Sequence, residues 1–111
     1  MSRDYDLYID DMREAARKVI EWTSGIDRES FVADAKTYDA VIRNLLVLGE
    51  AAKHVPDDVR LANPAIPWVQ ITGMRDLLIH GYFGIDEDIL WDAITTGVPE
   101  LASHLARIEL A

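Results

Sequence analysis

AVIRNLLVLGEAAK, residues 40–53, is the stretch on which the fold turns. Its apolar residues return at spacings of three and four, as an α-helix requires. Two stripes result, one of Val41, Leu45, Leu48 and Ala52, the other of Ile42, Leu46 and Gly49. A helix apolar over so wide an arc belongs in the middle of a bundle, with neighbours on several sides. The spacing predicts that it starts near Asp34 or Thr37 and ends near Val55. Gly49 costs about 1 kcal/mol against Ala in a helix interior, so close approach of another helix is its expected use. Arg43 and Glu50 lie seven apart on one face. Arg43 reads as part of a structural ion pair, with Glu50 on its face, or as a polar intrusion near a site.

The rest is helical outward from this centre. Tyr5 to Thr23 carries Leu7, Ile9, Met12, Ala15, Ala16, Val19, Ile20 and Trp22 at helical spacing. Asp4 or Asp6 is the expected cap and Gly25 the stop. Arg28 to Ala33 reads as a short helical turn and Asp57 to Ala62 as a short helix between prolines. Pro67 fits the first turn of PWVQITGM, with Trp68 as an apolar anchor. A helix is expected from Gly73 to Tyr82, then a turn at Gly84–Asp86. Asp86 would cap EDILWDAITT, Gly97-Val98-Pro99 would bend the chain, and a last helix would run to about Leu110. No convincing strand is found. The fold class is all-α, an antiparallel bundle of four to five helices in one domain, residues 1–111.

Composition narrows the function. The 111 residues carry 20 acidic against 11 basic side chains, a net charge of −9. That balance argues against broad nucleic-acid binding, so any RNA contact falls to a local group of arginines. Cysteine is absent, which excludes disulfides and thiolate metal sites. The acidic start MSRDYDLYIDDM is no signal peptide, and no apolar run reaches the about 18 residues of a membrane span. A cytoplasmic protein with no membrane contact is expected.

Of the three histidines, His54 reads as a partner for helix C-terminal carbonyls and His104 as a surface or boundary residue. His80 stands in RDLLIHGYFGID, residues 75–86, close to Arg75 and Tyr82. Arg offers a permanent forked cation for phosphate. His can take and return a proton near neutral pH. With RNA's own 2′-hydroxyl as nucleophile, these groups suit phosphodiester cleavage without a metal. From spacing alone, an Arg and a His near a helix end are usually a surface ion pair or a C-terminal cap. On an ideal helix Arg75 and His80 stand about 140° apart, so convergence needs an irregular helix end or a second copy of the chain. Asp10-Asp11, Asp57-Asp58 and Asp86-Glu87-Asp88 read as solvated caps, not metal sites. Trp68, Trp91 and Phe83 read as core anchors.

RDLLIHGYFGID resembles the signature of the HepT-like branch of HEPN domains: Arg, a polar residue, three more, His, one more, Tyr. Arg75, Asp76, His80 and Tyr82 fill every position. YDAVIRNLLVLGEAAK (38–53), Ile66-Pro67-Trp68 and Val98-Pro99-Glu100-Leu101 resemble the flanking segments, so the likeness spans nearly the whole chain. It implies a HEPN bundle, forming a homodimer with the motif at the subunit interface. It implies a metal-independent endoribonuclease, needing no cofactor, acting as the toxin of a type II toxin–antitoxin pair. The antitoxin partner would be a minimal nucleotidyltransferase that adds AMP to Tyr82. Arg75 and His80 would be catalytic, Asp76 supporting, and Tyr82 the modification site and an RNA contact. Two other readings stand beside it: a non-catalytic dimer that binds nucleotide or RNA beside a nucleotidyltransferase, and a structural dimer with a vestigial motif.

Overall fold

The computed structural model describes residues 4–79 and 84–110. Helices carry the fold, with no strand among the described residues. α1 is Asp4–Thr23, α2 Arg28–Ala33, α3 Ala35–Lys53, α4 Asp57–Ala62, α5 Trp68–Thr72, α6 Met74–Leu78, α7 Glu87–Asp92 and α8 Val98–Ala106. The all-α bundle is therefore observed. Its main rods are α1, α3, the α5–α6 pair and the run from α7 to α8.

α1 lies along α3 over most of its length, and α8 lies beside α1. α1 gives Ile9, Met12, Ala15, Ala16 and Val19 to the core. α3 gives Val41, Leu45, Leu48 and Ala52, and α8 gives Val98, Leu101 and Leu105. Gly49 does the work its position suggested. A Cβ there would stand 2.9 Å from the Ile71 carbonyl oxygen and 3.3 Å from the Met74 Cβ. The α5–α6 pair thus sits directly on the backbone of α3. Trp68 is buried, and its indole N–H donates to the Asn63 carbonyl at 3.0 Å.

Helix starts follow local chemistry. Asp27 caps α2 by accepting from the Ser30 N–H, and Asp34 caps α3 by accepting from the Thr37 N–H. Asp86 caps α7 through the N–H groups of Asp88 and Ile89. Such oxygens satisfy the orphan donors of a first turn. Gly25 takes φ +76 just past α1, in the left-handed region open to glycine. Asp6, offered as a cap, is instead inside α1 and buried.

Three boundaries depart from expectation. The motif helix ends at Leu78, not Tyr82. Ile79 is extended and forms an antiparallel bridge with Ile85, while the Asp86 N–H takes the Leu78 carbonyl at 3.0 Å. The bend expected at Gly97 is absent. Gly97 is right-handed helical at φ −63, and a π-helical turn, Ala93–Gly97, carries the chain from α7 into α8. α8 ends at Ala106, short of Leu110, because the Arg13 guanidinium from α1 takes the Leu105 and Ile108 carbonyls.

Candidate functional site

α6 is five residues long and fixed on one side only. Met74 and Leu78 are buried, the first against Gly49, and this turns Arg75, Asp76 and Leu77 outward. The Arg75 carbonyl receives the Ile79 N–H at 2.9 Å, closing the last turn. Beyond it the bridge between Ile79 and Ile85 ties together the described residues on either side of the motif's second half. Gly84, just before Ile85, takes φ +77, in the left-handed region open to glycine. Arg75 and Asp76 are therefore placed by the fold. His80 and Tyr82 lie outside the described residues, as does Phe83. The ideal-helix angles do not reach them, because the helix stops at Leu78.

The arginines among the described residues divide into held and unheld. Arg17 is held by Glu14 and Glu21, Arg28 by Asp88 at 2.6 Å, and Arg13 and Arg60 by backbone carbonyls. Arg75, like Arg43 and Arg107, makes no side-chain hydrogen bond or ion pair among the described residues. Its guanidinium stands in solvent with its donors uncommitted, ready for a phosphate. The expected pair of Arg43 with Glu50 does not form. Glu50 takes Lys53 instead, at 3.0 Å.

Beside the motif runs an open groove of 720 Å³. Ile42, Leu46 and Val47 of α3 form its floor, Tyr8 of α1 a wall, and Ile85 its end nearest the motif. His54 does not turn its ring on the α3 carbonyls as expected. It stacks on Tyr8, ring centroids 4.6 Å apart and 16° from parallel. Burial pushes the Tyr38 phenol up, helped by the charges of Glu87 and Asp39. The groove was not read from the sequence. Its signal was there: Ile42, Leu46 and Val47 share an arc with Arg43 and Glu50, so apolar and charged residues mix on one side of α3.

The acidic pairs behave as caps and solvated residues. Asp57 and Asp58 are exposed in the first turn of α4, and Asp88 holds Arg28. Among the described residues no group of His, Asp and Glu is placed to hold a metal ion, and no helix is long and apolar enough to cross a membrane.

A profile of the family described as ribonuclease HepT-like matches residues 12–108. The chain belongs to that family. It is 40% identical to a Thermococcus cleftensis protein named "probable ribonuclease HepT", over 97% of this chain and 98% of the relative. It is 39% identical to a Methanocaldococcus jannaschii protein provisionally named an RNase, over 93% of this chain and 94% of that one. A relative from Caldanaerobacter subterraneus, also provisionally named an RNase, is 38% identical over 91% and 90%. No solved structure matches. Within the family match, Arg75 lies on α6, exposed to solvent.

Proposed function

We propose that the chain is a metal-independent endoribonuclease, the cytoplasmic toxin of a type II toxin–antitoxin pair, acting as a homodimer. RNA cleavage is the coarse part, and membership of the ribonuclease HepT-like family supports it. The observation that carries the reading is Arg75. It is a solvent-facing guanidinium without a carboxylate partner among the described residues, on a short helix locked to the core five residues before His80.

In the proposed step, His80 removes the proton of an RNA 2′-hydroxyl. The 2′-oxygen bonds to the adjacent phosphorus as the bond to the 5′-oxygen breaks, and a proton is returned to that leaving oxygen. Arg75 stabilises the negative charge that grows on the phosphorane oxygens. The RNA supplies its own nucleophile. Asp76, beside Arg75, is the supporting polar residue. A minimal nucleotidyltransferase antitoxin transfers AMP from ATP to Tyr82: the phenol oxygen bonds to the α-phosphorus, its proton is lost and pyrophosphate leaves, which places bulk and negative charge where RNA phosphate must approach. The homodimer is supported by the half-buried apolar floor of the groove beside the motif.

The test is RNA cleavage by the unmodified chain in EDTA. Wild type is expected to cut, and His80→Ala and Arg75→Ala each to lose about 100-fold or more. Equal rates for wild type and both variants across a panel of RNAs would remove the nuclease. Retained RNA binding without turnover would leave the binding dimer in its place.

A further inference from the structure

The charges on the open side of α3 repeat with opposite sign about its midpoint. The groove extends along α3 from Tyr38 to His54, so its centre is Leu46. At about 100° per residue, Asp39, Arg43, Glu50 and Lys53 fall within about 80° of arc on this side. Their order from the N-terminus is minus, plus, minus, plus. Around them the floor is apolar, through Ile42, Leu46 and Val47. A nucleic acid fits this strip poorly, since Asp11, Asp39 and Glu50 all line the groove and repel phosphate.

We infer that this strip is the self-recognition surface of the dimer, and that Arg43 of each copy pairs with Glu50 of the other. The inference rests on the homodimer proposed above and deepens it. When two identical helices cross a two-fold axis antiparallel, positions facing each other have a constant sum. With the axis at Leu46, Asp39 meets Lys53. With it half a residue on, between Leu46 and Val47, Arg43 meets Glu50. Both contacts are opposite in sign. If α3 instead ran parallel to its copy, each residue would face itself, and every charge would meet its like. Charges flanking an apolar seam select orientation in this way in coiled coils, and an interface between copies about a two-fold is self-complementary by construction.

The separate chain fits the assignment. Arg43 has no partner among the described residues, and Glu50 is held only by an exposed contact to Lys53, which is worth little. The pair that the sequence places seven residues apart, too far to meet along one helix face, is satisfied across the axis. α3 is about 28 Å long at 1.5 Å per residue. The groove ends at Ile85, so the second copy would lie beside the motif.

The test is a charge exchange read by sedimentation velocity over a concentration series. Arg43→Glu sets carboxylate against carboxylate twice in its own dimer, and Glu50→Arg sets guanidinium against guanidinium twice. Each variant alone is expected to dimerise about tenfold or more weakly than wild type. Mixed in equal amounts they present only opposite charges, and a heterodimer of near wild-type affinity should form. That rescue also controls for folding, since a misfolded variant gains nothing from its complement. If wild type dimerises and both single variants dimerise as tightly, the register is wrong while the dimer stands. If wild type stays monomeric throughout, the dimer reading falls and this one with it. If Arg43→Glu weakens RNA binding but not self-association, the arginine serves nucleic acid and the assignment is overturned.

Discussion

The two sides of α3 are built from similar residues and end differently. One side is closed. Val41, Leu45 and Leu48 have no exposed surface, and Gly49 touches the α5–α6 pair. The other is open, with Ile42, Leu46 and Val47 half-buried in a groove beside Arg43 and Glu50. Hydrophobic spacing marks both sides as covered, and it does not say by what. The chain's own helices fill one side, and we assign the other to a second copy. The sharpest way to test the contrast is to delete the same atoms on each side. Leu48→Ala leaves a cavity in the closed side and should cost about 2–5 kcal/mol. Leu46→Ala should cost the dilute chain about 1 kcal/mol or less, with a further loss that grows with protein concentration. Urea midpoints at low and high concentration read both. Equal losses at low concentration would mean that the sides do not differ.

Gly49 is the next lever, because it joins the closed side to the site. Gly49→Ala gains up to about 1 kcal/mol of helix propensity. Against this, its Cβ meets a backbone carbonyl that cannot rotate away, an overpacking cost of about 1–3 kcal/mol. Net destabilisation is expected, and α6 must shift to relieve it. Arg75 rides on that helix, so RNA cleavage well below the melting temperature should fall several-fold while the chain stays folded. Unchanged cleavage together with lost stability would show that the setting of α6 does not govern the site.

How much of this was legible depends on the range of the forces involved. The limits of α2 and α4 were read correctly because Asp27 and Pro56 act within a turn of where they stand. Asp86 did the same for α7. The early end of α6 was not readable, since it is set by Ile85, six residues on, pairing with Ile79. The end of α8 is set by Arg13, more than 90 positions away, and the Tyr8–His54 stack joins two helices. Arg75 could be named from its motif, but its freedom from carboxylates shows only in the folded chain, where Arg17 and Arg28 take theirs. Arg43 and Glu50 were correctly placed on one face and wrongly paired, because Lys53 is nearer to Glu50 along the helix.

The smallest expected effect lies at the start of α3, where both sides begin. Asp34 takes the Thr37 hydroxyl at 2.7 Å and the Thr37 N–H at 3.2 Å, and it also ends α2. The hydroxyl first, then the N–H, hold its carboxyl below the ordinary 3.8. Asp27 is lowered in the same way, by the N–H and hydroxyl of Ser30. A carboxyl whose folded pKa is depressed binds fewer protons folded than unfolded, so it favours the folded state above the unfolded value. That contribution is lost as pH falls from 3.8 through the lower folded value. Asn caps helices about as well as Asp, so Asp34→Asn should change the neutral-pH urea midpoint little. Below about pH 4, where the native carboxyl begins to lose its advantage, the variant's stability should fall less steeply than that of wild type. Parallel acid limbs for the two proteins would mean that the Thr37 contacts do not distinguish the charged cap from the neutral one. The cap would then hold the joint between α2 and α3 through its hydrogen bonds, with or without its charge.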